Sequence, residues 1–110
     1  MTLSTHILDT MHGTPAAGLR VRLKKGNLVL FEGQTDQDGR CPDLRTTAAG
    51  VGLFSLTFEV ADYFVSRGVE LPNPPFLDHV TIDFGIADET AHYHVPLLVS
   101  PYAYSTYRGS

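Results

Sequence analysis

Apolar and polar residues alternate with a period of two along most of this chain, and the alternation is interrupted at close intervals by turn signals. "HVTIDFGI" (79–86) is the purest stretch. On an extended strand it puts Val80, Ile82, Phe84 and Ile86 on one face, with His79, Thr81 and Asp83 on the other. "LRVRLKK" (19–25) sets Leu19, Val21 and Leu23 against Arg20, Arg22 and Lys24. Gly26-Asn27 then marks a two-residue hairpin turn into "LVLFEGQT" (28–35). Strands are also predicted over "LSTHILD" (3–9), "VGLFSLTFEV" (51–60), "HYHVPLLVS" (92–100) and "YAYSTYRG" (102–109), with a tight turn at "DQDGR". One segment departs from this period. "VADYFVSRG" spaces Val60 and Phe64 four apart and ends on Gly68, which predicts a short helix over 60–67. "LPNPPF" (71–76) is a loop, because its prolines lack the donors of a central strand or helix interior. Seven or eight short strands imply an all-β, antiparallel sandwich, and nothing in residues 1–110 marks a domain boundary.

Composition excludes several classes of function. The net charge is −4 and the eight basic residues are scattered, so there is no basic stripe for a nucleic acid or an anionic membrane. No apolar run approaches the roughly 18 residues of a spanning helix. The opening "MTLSTHILDT" lacks the pattern of a secretory signal, and the chain does not close on the peroxisomal Ser-Lys-Leu. Cys41 is the sole cysteine, so no intrachain disulfide is possible. A cytoplasmic protein is the resulting expectation.

The candidates for chemistry are few. His92 and His94 are two apart on a predicted strand and share a face, opposite Tyr93, Val95 and Leu97. Two such imidazoles can be half-exposed strand residues, or two zinc ligands awaiting a third from His6, His12 or His79. His6 shares its face with Ser4 and Leu8 and is followed by Asp9. Arg40 follows a turn, where a solvated charge is the ordinary reading. Gly39 before it serves backbone geometry, and Cys41 after it is either a nucleophile or a packed thiol. The last residues, "YSTYRGS", alternate like an edge strand. Tyr102, Tyr104 and Tyr107 make a loose end costly, so a docked tail is expected. Arg108 suits a planar anion or a carboxylate, and Ser110 offers a hydroxyl and a terminal carboxylate.

Three separated motifs then stand in order: "LSTHILDT…GTPA" at 3–16, "TDQDGR" at 35–40 and "HYHVPLLVSPYAYSTYRGS" at 92–110. Together they resemble the signatures of the 5-hydroxyisourate hydrolases, the transthyretin-like enzymes of urate breakdown. The ending Tyr-Arg-Gly-Ser separates those enzymes from transthyretin proper. The resemblance implies a prealbumin-like sandwich of two four-stranded sheets with one short helix. It implies a homotetramer with active sites where dimers face each other, and hydrolysis of 5-hydroxyisourate without metal or cofactor. It places catalytic roles on His6, Arg40, His94 and Ser110, and substrate contacts on His6, Arg40, Tyr107 and Arg108. Which histidine is the base stays open. The alternatives are a transthyretin-like carrier of a small ligand without catalysis, a zinc hydrolase built on His92 and His94, and a purely structural sandwich.

Overall fold

The computed structural model describes all 110 residues. Eight strands form two four-stranded sheets. In chain order they are β1 (Thr2–Asp9), β2 (Thr14–Pro15), β3 (Arg20–Lys25), β4 (Leu28–Gln34), β5 (Gly52–Phe58), β6 (Val80–Ile86), β7 (His92–Val99) and β8 (Tyr104–Thr106). One sheet runs β2-β1-β7-β8 and the other β4-β3-β5-β6. Between them lies one core of 22 buried residues, with Leu3, Ile7, Leu23, Phe54, Phe58, Phe64 and Leu97 at its centre.

The predicted short helix is present as α1 (Val60–Ser66), which buries Val60, Ala61, Tyr63 and Phe64 against that core. Gly68, in the left-handed region, ends it. The Gly26-Asn27 hairpin joins β3 to β4, and residues 71–76 form a loop. No helix is long and apolar enough to cross a membrane.

Three features depart from the sequence reading. The sandwich is not antiparallel throughout, because β1 and β7 run parallel in unbroken register from Thr2↔His92 to Asp9↔Val99. The whole second sheet lies between them in the chain, so their relative direction is set by that long crossover and not by local pattern. β2 is a two-residue strand, too short to leave a periodic trace.

The last strand is also shorter than 102–109. Gly109 resumes the β7–β8 register opposite His94, but the ladder lapses between them. Pro96 explains the lapse. Its carbonyl faces β8, where the Thr106 hydroxyl donates to it at 2.7 Å, and on that side proline has no N–H to offer. The tail backbone is therefore anchored at both ends of a gap. Its tyrosines remain exposed on the single chain: Tyr102 by 60%, Tyr104 by 46% and Tyr107 by 61%.

Candidate active site

Parallel pairing of β1 and β7 builds the site. Each strand buries its odd-numbered residues and, apart from the buried Pro96, leaves the even ones less covered, so Thr2, Ser4 and His6 share the outer face with His92 and His94. The register sets Ser4 directly opposite His94 and His6 opposite Pro96. On the far side of β1, His6 forms an isolated bridge with Arg40; on the far side of β7, His94 forms one with Gly109. All three motifs thus meet side by side across a single sheet face.

Local chemistry fixes each segment. Arg40 ends a turn built around Asp36, whose carboxylate accepts the backbone N–H of Asp38 at 2.9 Å and of Arg40 at 3.0 Å. The buried Thr35 hydroxyl secures the base of that turn, donating to the Ala16 carbonyl at 2.5 Å and accepting the Leu19 N–H at 2.9 Å. Gly39 has φ of +74°, and a Cβ there would lie 2.5 Å from the Ile7 carbonyl oxygen. Only glycine lets the turn come this close to β1, and the Ile7 N–H then donates to the Gly39 carbonyl at 2.9 Å. Gly109 plays the matching part in the tail. Its N–H donates to the His94 carbonyl at 2.8 Å, and a Cβ would strike the His94 ring, 3.1 Å from Cγ.

His92 and His94 are tied to hydroxyls rather than to carboxylates. Ser4 Oγ lies 2.7 Å from His94 Nδ1 and 3.1 Å from His92 Nε2, and the Thr2 hydroxyl meets His92 Nδ1. Partial burial pushes the His94 pKa below the usual histidine value, and repulsion from the Arg40 guanidinium, joined by the His92 and His6 rings when they carry charge, pushes it the same way. A hydrogen bond with the Ser4 backbone opposes them only in part. His94 is therefore an uncharged imidazole at neutral pH, with a fixed cation close by.

The other candidates are placed elsewhere on the single chain. The Arg108 guanidinium lies 4.2 Å from the centre of the Tyr93 ring rather than among the histidines. With Tyr107 and Thr106 it lines a separate cavity of about 370 Å³ at the edge of β6. Ser110 follows Gly109 directly and is exposed. Cys41 is buried, and burial together with Asp36 and Asp43 raises its thiol pKa to about 11, so packing accounts for it better than nucleophilic chemistry. His79 pairs with Glu59 at 2.6 Å and His12 with Asp9 at 2.6 Å, both away from the site. No group of three His, Cys, Asp or Glu side chains has the arrangement to hold a metal ion.

Sequence reasoning noted Ser4 only as a neighbour of His6. The period of two placed it on the correct face, but its contact with His94 depends on the β1–β7 register. Asp9 also went unassigned. It is fully buried and accepts hydrogen bonds from the Tyr63 hydroxyl at 2.7 Å and the His12 N–H at 3.0 Å.

Comparison with known proteins bears directly on this arrangement. Residues 3–109 match the model of the HIUase/Transthyretin family. A 5-hydroxyisourate hydrolase of Ralstonia nicotianae is 53% identical over 114 aligned residues, covering 98% of this chain and 97% of that one. The solved 5-hydroxyisourate hydrolase of Klebsiella pneumoniae superposes with a TM-score of 0.86 at 38% identity, covering 100% of both chains. Sea bream transthyretin, solved in complex with thyroxine, superposes with a TM-score of 0.83 at 26% identity, covering 97% of this chain and 93% of that one. With its three motifs gathered on one face of a sandwich that these structures share, the chain belongs to the HIUase/Transthyretin family.

Proposed function

We propose that this protein hydrolyses 5-hydroxyisourate to 2-oxo-4-hydroxy-4-carboxy-5-ureidoimidazoline, a step of urate breakdown, with His94 as the base that activates water. The observation that carries this reading is an imidazole kept uncharged at neutral pH beside the Arg40 cation. The 53% identity to a hydrolase, against 26% to a thyroxine-binding transthyretin, supports the enzyme over the carrier.

The substrate is a planar ring closed by an amide. Water adds to the amide carbonyl carbon while one of its protons passes to His94. The C–N bond then opens, and the ring nitrogen leaves with the proton that His94 returns. A guanidinium does not give up its proton in a protein, so Arg40 serves as the fixed charge that stabilises the developing oxyanion. His6, on the neighbouring strand, orients the water or holds the ring. The tail supplies Ser110 as a further catalytic group, which the approach of Gly109 to the His94 ring supports; Tyr107 and Arg108, which line the cavity beside β6 on the single chain, belong to the substrate site of the assembled tetramer in the same proposal.

A homotetramer with active sites between facing dimers belongs to the same proposal. Its support is that the site lies on the outer face of a sheet, open to a second copy, and that the tail tyrosines are exposed on the chain alone. A cytoplasmic location is proposed on the lone unpaired Cys41, a usage typical of reducing compartments.

The test generates 5-hydroxyisourate in place with urate oxidase and follows its ultraviolet decay after adding chelator-treated protein. Decay that speeds up in proportion to protein concentration is expected. Spontaneous decay alone, in the presence of folded protein, would overturn the enzyme reading and favour a carrier.

A further inference from the structure

His92 is absorbed neither by the motif roles nor by the core. Its ring is exposed on the outer face, joined to His94 only through Ser4. That single hydroxyl constrains both imidazoles. A serine has one proton to donate and lone pairs with which to accept. If the Ser4 proton is to be used within this trio, Ser4 donates to one ring and accepts an N–H from the other.

Two arrangements satisfy this. In the first, His92 Nε2–H donates to Ser4, and Ser4 donates to His94 Nδ1. His94 then carries its proton on Nε2, the only ring nitrogen left to meet water, and cannot act as a base there. In the second, His94 Nδ1–H donates to Ser4, and Ser4 donates to His92 Nε2. The His92 proton then sits on Nδ1, facing the Thr2 hydroxyl as acceptor. His94 Nε2 keeps its lone pair.

We infer that His92 is a positioning residue: acting through Ser4, it holds His94 in the Nδ1–H tautomer that leaves Nε2 free to take the proton of water. The inference rests on the proposed role of His94 as base. It has two consequences. When Nε2 is protonated, the Nδ1–H already points at Ser4, so no group has to turn. When His92 is itself protonated, its Nε2 can no longer accept from Ser4, and the second arrangement is lost. The second arrangement therefore needs an uncharged His92. The charged or titratable neighbours that bear on this pair are His6 on β1 and Arg40 on the turn. From the tail, Arg108 reaches the His92 carbonyl at 3.4 Å. The amino group of Met1 lies next to Thr2.

The experiment uses the full chain labelled with ¹⁵N at histidine. Ring nitrogen shifts at pH above 7 report the tautomer directly, with the His94 signals assigned by their loss in His94→Asn. Wild-type protein is expected to show a protonated Nδ1 and a bare Nε2 at His94. Ser4→Ala and His92→Phe should both move the proton to Nε2 and lower kcat by about 10-fold or more with little change in KM, whereas Ser4→Thr, which keeps the hydroxyl, should restore both readouts. A wild-type His94 protonated on Nε2, or a tautomer unmoved by His92→Phe, would overturn the inference. The expected tautomer in a protein that does not accelerate hydrolysis would keep the relay and overturn the enzymatic reading instead. These side chains sit on the outer sheet face, and a second variant covers the case in which one fails to fold.

Discussion

Two histidines at opposite ends of the β1–β7 sheet show what a partner does to an imidazole. His12 is held by Asp9, a carboxylate with no exposure, which also accepts from the Tyr63 hydroxyl and lies 3.6 Å from Arg67. Burial alone would raise the Asp9 pKa, but hydrogen bonds from Tyr63 and from the backbone and ring of His12 outweigh it, and the carboxyl stays below its ordinary value. Every polar group in that cluster has a counterpart, and the cluster ties α1 to β1. His94 is partly buried, with a hydroxyl for a partner and the Arg40 cation nearby, so it is pushed towards the neutral form and keeps one nitrogen uncommitted. A histidine whose needs are met by an acid is a structural tie. A histidine denied an acid, in a field that rejects its charge, is prepared to take a proton from something else.

Substitutions at the two sites should therefore separate activity from stability. His94→Asn is expected to lower turnover by at least about 100-fold, the scale of a general base, while its thermal midpoint stays near that of wild type. Asp9→Asn should do the reverse. It leaves the buried Tyr63 hydroxyl and the His12 donors without their carboxylate and should cost about 1–3 kcal/mol in a urea titration, with the activity of the folded fraction intact. If Asp9→Asn abolished turnover without loss of stability, the division between the sites would fail.

Gly109→Ala sharpens the active half of the comparison. The added Cβ must displace the His94 ring or the tail, and roughly a 10-fold fall in kcat is expected at nearly unchanged stability. Unaltered kinetics would mean that the ring position does not matter. The smallest effect concerns acid stability. Because the folded Asp9 pKa lies below the unfolded value near ~3.9, the stability it contributes is present above that value and fades as pH falls through the folded one. The gap between wild type and Asp9→Asn in urea midpoint should thus be constant near neutrality and close in acid. A gap that widened on acidification would reverse the sign of the argument.

What the sequence made legible follows from the range of each interaction. Period-two alternation exposed the strands, and the four-residue spacing of Val60 and Phe64 exposed α1, because both are local patterns. The same alternation put His92 and His94 on one face and Ser4 with His6 on another strand's face. It could not join the two strands, since the parallel β1–β7 register is created by a crossover through the entire second sheet. The Ser4 bridge was hidden for that reason. The buried Asp9 was hidden as well, because its partners Tyr63 and Arg67 are more than fifty residues away. The tail shows a third limit. Its tyrosines suggested docking, and the backbone is anchored, but Pro96 interrupts the ladder and the rings face outward on the single chain.

The central claim is that a neutral His94, and not simply the family fold, performs the chemistry. The most direct measurement is the pH dependence of kcat/KM for wild type and His94→Asn side by side, since this profile reports the essential base of the free enzyme. The wild-type acid limb should fall below the ordinary histidine value of ~6.5, and it should disappear from the small residual rate of the variant. A limb at the same pH in both proteins would contradict the claim and move the base to another residue.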